Sequence, residues 1–132
     1  MFLNQLNLDE KKNYWALINL VVKCDGEFSD KEKNLVAEYQ KEMEFEPFEN
    51  SPNDIDVIIS QFTDSSPKVK NIIFLETIAL ILADEKYEVA EKAIIEKMMV
   101  SFGISEEKRV RYFEWIGEIQ QLYKKANNLI EF

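Results

Sequence analysis

The chain has 132 residues, of which 46% are apolar, enough for a single globular domain with a buried core. Its 25 acidic residues outnumber its 16 basic ones and leave a formal charge of −9, which disfavours nucleic acid and anionic lipid surfaces and favours cations and basic proteins. The absence of histidine excludes a Ser-His-Asp triad and the usual zinc and copper sites within this chain. We therefore expect a protein that is not an enzyme.

The signals for cellular location point to the cytoplasm. Cys24 is the only cysteine, so no internal disulfide can form and a reducing compartment is suitable. The first ten residues, MFLNQLNLDE, lack the positive segment of a secretory signal. The longest apolar run, from Ile72 to Ala83, is interrupted by Glu76 and is shorter than the roughly 20 residues that a membrane-spanning helix needs. We expect a cytoplasmic protein without direct membrane insertion.

The first part of the chain predicts a helical hairpin. Asn7 has the character of an N-cap, and apolar residues then recur at helical spacing as far as about Cys24. The dipeptide Asp25-Gly26 breaks this first helix. Ser29, with Glu32 three residues later, forms a capping-box signature that starts a second helix.

The middle of the chain predicts a short third helix and a long, apolar fourth one. Ser51 before Pro52 resembles an N-cap followed by proline at the first helical position, and Ser66 before Pro67 repeats that signal. The fourth helix runs to Asp84 and is apolar on every side, so it should lie in the middle of the fold. The third helix carries an apolar stripe of Ile55, Ile58, Ile59 and Phe62.

The last part of the chain predicts two more helices. The fifth spans residues 88–102 and is closed by Gly103, and Ser105 caps the sixth. The sixth helix carries an apolar stripe of Val110, Phe113, Ile116, Ile119, Leu122 and Tyr123. No segment alternates as a strand would, so we predict one all-α domain over residues 1–132, a compact bundle of about six to seven helices with two hairpins related by an approximate internal two-fold.

Two acidic turns are the main functional clue. The turn from Asp25 to Glu32 is echoed by the turn from Asp84 to Glu91, with the same spacing between the two carboxylates in each. Each turn matches only the second half of an EF-hand loop, because apolar or basic residues occupy the first ligand positions, so a true EF-hand is disfavoured. If the hairpins fold together, the four carboxylates would repel one another unless a hard cation such as Ca²⁺, Mg²⁺ or Mn²⁺ neutralised them.

A structural role competes with this cation site. Glu32 and Glu91 lie where a glutamate caps a helix or meets the favourable end of its dipole. Asp25 and Asp84 are harder to explain in that way, because a carboxylate at a helix C-terminus meets the unfavourable end. The residue pattern is compatible with both interpretations, and a hydrolase using a carboxylate-held metal to activate water is a third, less favoured class.

The segments CDGEFSDKE at 24–32 and ADEKYEVAE at 83–91 resemble the TerB-like family, which includes tellurite-resistance proteins and the N-terminal regions of membrane-anchored DnaJ-type co-chaperones. The resemblance implies an all-helical bundle with two related halves and a stress-linked or scaffolding role in the cytoplasm. It also implies a metal-binding cluster, which here would consist of Asp25, Glu32, Asp84 and Glu91.

Other surfaces give weaker predictions. Glu76 is a lone acid in the apolar helix, and we expect it at an exposed edge rather than buried with a basic partner. Aromatic and basic residues interleave on the sixth helix, but the net charge opposes a nucleic-acid site there. The final residues, 129–132, either fold back or dock into a partner. The function predicted is a cation-binding, protein-interacting module of unknown oligomeric state, and the alternative is a metal-free scaffold or co-chaperone-like module.

Overall fold

A computed structural model describes residues 1–23, 29–44, 54–84 and 87–131. Every regular element in these ranges is helical, which confirms the all-α prediction. Two short 3₁₀ turns, Leu3–Gln5 and Leu82–Asp84, accompany the α-helices. The six α-helices of the described ranges are α1 (Leu8–Lys23), α2 (Asp30–Met43), α3 (Ile55–Ser60), α4 (Pro67–Ile81), α5 (Val89–Phe102) and α6 (Glu106–Glu131).

The predicted capping residues begin and end most of these helices. The side chain of Asn7 accepts a hydrogen bond from the first turn of α1, and the side chain of Ser29 does so for α2. Ser66 caps α4 in the same way, with proline next in the chain. Ser105 caps α6. Gly103 ends α5 in the left-handed conformation, with φ 67°, which glycine adopts without a Cβ clash.

Two boundaries differ from the sequence prediction. The helix α3 begins at Ile55, where the carboxylate of Asp54 accepts a hydrogen bond from the backbone N–H of Asp56. The expected start at 51–52 lies outside the described residues. The helix α4 ends at Ile81, three residues before the expected end at Asp84. The intervening residues, Leu82–Asp84, form a 3₁₀ turn.

The helix α4 is the centre of the bundle, as its apolar character predicts. Residues 72–78 are all buried, and α4 contacts α1, α2, α5 and α6. A helix that is buried all round needs neighbours on every side, and the fold supplies them. In the described part of the chain, no helix combines the length and apolar character needed to cross a membrane.

The first six residues form a strap, Met1–Leu6, that closes one side of the bundle. Its 3₁₀ turn contacts α2 and α4. Leu3 and Leu6 are buried in the common core. The ring of Phe2 lies beside Trp115 of α6, with 6.3 Å between ring centroids. The strap is therefore part of the folded domain.

Candidate functional site

Glu32 and Glu91, two of the four predicted cation ligands, are each only 2% exposed and lie in the first turns of α2 and α5. The carboxylate of Glu32 accepts a hydrogen bond from the backbone N–H of Ser29 at 3.3 Å. The carboxylate of Glu91 accepts one from the backbone N–H of Glu88 at 2.9 Å. Each glutamate thus satisfies an N–H group at the start of its helix, which is the structural role that competes with the cation site.

The other two predicted cation ligands are the aspartates of the acidic turns. Asp25 lies outside the described residues. Asp84 is the last residue of the Leu82–Asp84 turn, and its side chain also lies outside them. Among the side chains that are described, no group of three or more Cys, Asp or Glu residues is arranged to hold a metal ion. The shared site of four carboxylates therefore stays a prediction.

The start of the second acidic turn lies against α2, the helix that follows the first acidic turn. The Leu82–Asp84 turn contacts α2, the helix that starts with Glu32 in its first turn. The side chain of Gln120 on α6 donates a hydrogen bond to the carbonyl of Leu82 at 3.0 Å. The turn is therefore fixed between α2 and α6.

Glu76 is buried, which corrects the expectation that it lies at an exposed edge. Its side chain is 0% exposed in the middle of α4. One carboxylate oxygen, Oε1, lies 2.8 Å from the Met1 ammonium and accepts a hydrogen bond from the backbone N–H of Phe2 at 2.7 Å. The other oxygen, Oε2, has no hydrogen-bond partner among the described residues. Glu76 thus forms an ion pair with the α-amino group of Met1. The sequence suggested a Lys or Arg side chain as the partner of a buried Glu76.

A second carboxylate and two phenols surround this ion pair. Glu42 of α2 lies 2.9 Å from the same ammonium. Tyr39 donates a hydrogen bond from its hydroxyl to the backbone carbonyl of Glu76 at 2.9 Å. Tyr14 of α1 is fully buried nearby, and its hydroxyl lies 3.4 Å from Thr77 Oγ1. Polar groups from α1, α2 and α4 therefore meet beneath the strap.

The surroundings shift the protonation of these groups in predictable directions. Partial burial acts to lower the pKa of the Met1 α-amino group, but hydrogen bonds to Glu76 and Glu42 and their negative charges outweigh it and raise the pKa above its ordinary value of 8.0. Burial, followed by nearby negative groups including Glu76, raises the pKa of Tyr14 and Tyr39 well above the ordinary value. Both phenols therefore stay neutral while the amino group titrates.

The sequence indicated one member of this cluster, Glu76, but not its partner. A lone acid in an apolar helix marks Glu76 as a residue that needs a partner if it is buried. The partner was missed because it is a backbone terminus, which no residue type reveals. The cluster holds one ammonium, two carboxylates and two phenols, and its charged groups make the contacts of a structural ion pair.

The distal half of α6 presents a distinct surface. Residues 121–131 are all exposed, whereas Ile116 is buried against the bundle. Two rows of apolar side chains at seven-residue spacing continue from the packed half into the exposed one, starting at Trp115 and at Ile116. We call the exposed members the distal stripe, which consists of Leu122, Tyr123, Leu129 and Ile130, between 62% and 81% exposed. The chain end at 129–131 does not fold back onto the described part of the bundle.

Three basic residues in the first half of α6 contact nearby groups. Arg109 pairs with Glu106 one turn earlier, and Arg111 pairs with Glu107 at 2.8 Å. The Nζ of Lys108 donates a hydrogen bond to Asn71 of α4 at 2.8 Å. These contacts within the protein give no separate support to a nucleic-acid surface.

Two open grooves flank the exposed face of α5. The groove toward α3 has a volume of about 510 Å³, and the one toward α6 about 520 Å³. One lysine in each groove already has a partner: Lys97 lies 3.1 Å from Asp56, and Lys92 lies over the ring of Tyr87. Paired charges on an open surface are typical of solvated helix packing and do not define a catalytic centre.

Comparison with protein-family models, curated proteins and solved structures finds no match for this chain. The resemblance to the TerB-like family therefore stays a prediction.

Proposed function

We propose that the chain is a non-enzymatic cytoplasmic helical module that recruits a partner protein through the distal stripe of α6. The observation that supports this role is the continuation of two packed apolar rows into solvent. Trp115 and Ile116 contact the bundle, and the residues seven and fourteen positions later repeat their apolar character while exposed. Apolar side chains clustered on an exposed face are typical of interaction sites.

The proposed occupant is an amphipathic helix of another protein. Rows at seven-residue spacing on a straight helix form a seam that another helix can pack against. The new helix would extend the packing by which α6 already contacts α4. A second copy of this chain is a less suitable occupant, because its formal charge of −9 would repel an identical charge.

Site-specific photo-crosslinking tests this surface. A photoreactive amino acid replaces Leu129, which is in the stripe, or the exposed Asn128, which lies on the opposite face of the same turn. We expect a heterologous protein to be crosslinked from position 129 but not from position 128. A Leu122→Glu substitution should abolish that crosslink, because it places a charge in the same seam.

Three results would remove the proposal. Equal crosslinking from positions 128 and 129 would show that the contact is not specific to the stripe. Crosslinking only between copies of this chain, together with a dimer by light scattering, would identify a second copy as the occupant. Retention of the crosslink in Leu122→Glu would also contradict docking on this seam.

A second candidate function is the binding of a divalent cation by a TerB-like pair of hairpins. One support is the matching placement of buried Glu32 and Glu91 in the first turns of α2 and α5, which fits two related hairpins although each carboxylate also caps its helix. Another support is the contact of α2 with the Leu82–Asp84 turn. In this proposal the hairpins are related by an approximate two-fold, and Asp25 and Asp84 add their carboxylates to a site for Ca²⁺, Mg²⁺ or Mn²⁺.

Calorimetric titration of metal-free protein with each of the three cations tests this candidate. We expect one cation to bind, and the double substitution Asp25→Asn with Asp84→Asn to abolish binding while the helical content is unchanged. Asp9→Asn with Asp64→Asn is a matched control, because it removes the same charge elsewhere. Absence of heat with all three cations, or equal loss in the two double variants, would exclude the site.

A further inference from the structure

We propose that Met1–Leu6 is a charge-locked strap: the positive charge at Met1, paired with buried Glu76, keeps the strap docked, and removal of that charge releases it. This inference does not depend on the docking role of α6. It rests on the contacts beneath the strap.

The lock is the ion pair between the partly exposed Met1 ammonium and the buried carboxylate of Glu76. Glu76 is 0% exposed. Its Oε1 forms an ion pair with the Met1 ammonium at 2.8 Å and accepts a hydrogen bond from the backbone N–H of Phe2 at 2.7 Å. A buried carboxylate is costly unless an opposite charge accompanies it. Its second oxygen has no hydrogen-bond partner among the described residues, so the contacts at Oε1 carry much of the compensation.

The strap covers an apolar surface that its release would expose. Leu3 and Leu6 are buried with residues of the core, and Phe2 lies against Trp115. A groove of about 490 Å³ already runs along the strap, lined in part by Phe2 and Tyr112. Undocking would remove Phe2 from the wall of this groove and expose the core surface that the two leucines cover.

Few other titratable groups face the lock in the described structure. Glu42 of α2 faces the ammonium, and Tyr14 of α1 and Tyr39 of α2 lie near Glu76. The two phenols are buried and stay neutral, so the amino group is the one that changes charge in mildly alkaline solution. Acylation of the same nitrogen would remove the charge at every pH.

Semisynthesis allows the charge to be changed alone. The single cysteine, Cys24, permits ligation of a synthetic 1–23 segment to a recombinant 24–132 segment, which restores residues 1–132 without an added residue. The synthetic segment carries a free, an acetylated or an N-methylated Met1. Acetylation removes the charge, whereas N-methylation adds bulk and keeps it.

Hydrogen exchange of the Phe2, Gln5 and Leu6 amides provides the measurement, because all three donate hydrogen bonds in the docked strap. We expect acetylation to accelerate their exchange on the order of tenfold, because it removes one charge-assisted hydrogen bond that holds the strap. N-methylation should change it much less. In Glu76→Gln protein, acetylation should have little additional effect, because the charge has lost its partner.

Three results would overturn the lock. Equal exchange in the acetylated and free proteins would show that the charge does not hold the strap. Equal acceleration by acetylation and N-methylation would assign the effect to bulk. Equal acceleration by acetylation in the unsubstituted and Glu76→Gln proteins would show that the charge is not coupled to this carboxylate. If Glu76→Gln does not fold, the comparison of acetyl with N-methyl in the unsubstituted chain decides the question.

Discussion

Two segments of this chain carry clustered apolar side chains, but the leucines of one are buried and the apolar residues of the other are exposed. The strap, Met1–Leu6, places Leu3 and Leu6 in the core and pairs its ammonium with Glu76. The distal half of α6, residues 121–131, contacts solvent along its whole length and leaves the distal stripe uncovered. Apolar composition alone therefore does not decide burial in this fold.

The geometry of the neighbouring helices explains the difference. The 26 residues of α6 extend about 39 Å, whereas the 15 residues of its partner α4 extend about 22 Å. Gln120 of α6 contacts the Leu82–Asp84 turn that follows α4, and the residues of α6 beyond it, 121–131, are exposed. The strap is short enough to lie against α2 and α4 together. Length relative to the neighbouring helix, rather than sequence pattern, separates the two segments.

The largest expected contrast comes from matched truncations of Leu3 and Leu129. Leu3→Ala removes a side chain that is 0% exposed and leaves a cavity, so the free energy of unfolding should fall by about 2 kcal/mol or more. Leu129→Ala removes one that is 81% exposed and should change it by less than about 0.5 kcal/mol. Urea unfolding followed by circular dichroism measures both. Similar losses in the two variants would mean that α6 is covered in solution.

A smaller contrast comes from removing one hydroxyl in each region. Tyr39→Phe deletes the hydrogen bond to the Glu76 carbonyl beneath the strap and should cost about 0.5–1.5 kcal/mol. Tyr123→Phe, in the distal stripe, should cost close to nothing because the ring is exposed. The same unfolding experiment compares them. A cost for Tyr123→Phe equal to that for Tyr39→Phe would indicate a buried hydroxyl on α6.

Alkaline pH should weaken the strap and leave α6 unchanged. The pKa of the Met1 amino group is raised in the folded state, so the folded protein holds this proton more tightly than the unfolded chain does. The associated stability is fully present below the ordinary pKa of 8.0 and is lost as the pH rises through the raised value. Because the group is partly exposed, we expect a decline of less than about 1 kcal/mol. Unfolding measured between about pH 7 and 9.5 tests this, with protein acetylated at Met1 as the control that should show no such decline.

The local sequence signals predicted most of the fold. Asn7, Ser29, Ser66 and Ser105 all lie at helix starts, and the apolar run of α4 lies at the centre of the bundle. These features depend on neighbouring residues in the chain, so their spacing is visible in the sequence. The same reasoning placed Glu32 in a capping box, which the structure shows.

The features that depend on distant contacts were not predicted. Glu76 is expected at an exposed edge because the residue pattern shows no partner for it. Its actual partner is the ammonium of Met1, which is remote in the chain and is not a side chain. The apolar stripe of α6 predicted a helix but not where its packing stops, since that point is set by the length of α4. Of the candidate cation ligands, the glutamates were located, whereas their approach to the aspartates remains a prediction.

The smallest expected effect is also the one that separates docking from folding. The double substitution Leu122→Glu with Leu129→Glu places two charges on the distal stripe, which is exposed in the isolated chain. We expect the free energy of unfolding to change by less than about 0.5 kcal/mol, because no contact of the core is lost. Gln121→Glu with Asn128→Glu is the matched control, because it adds the same charge to the opposite face. A large loss of stability in the stripe variant alone would show that these side chains support the fold, in which case the distal stripe would not be free to receive a partner.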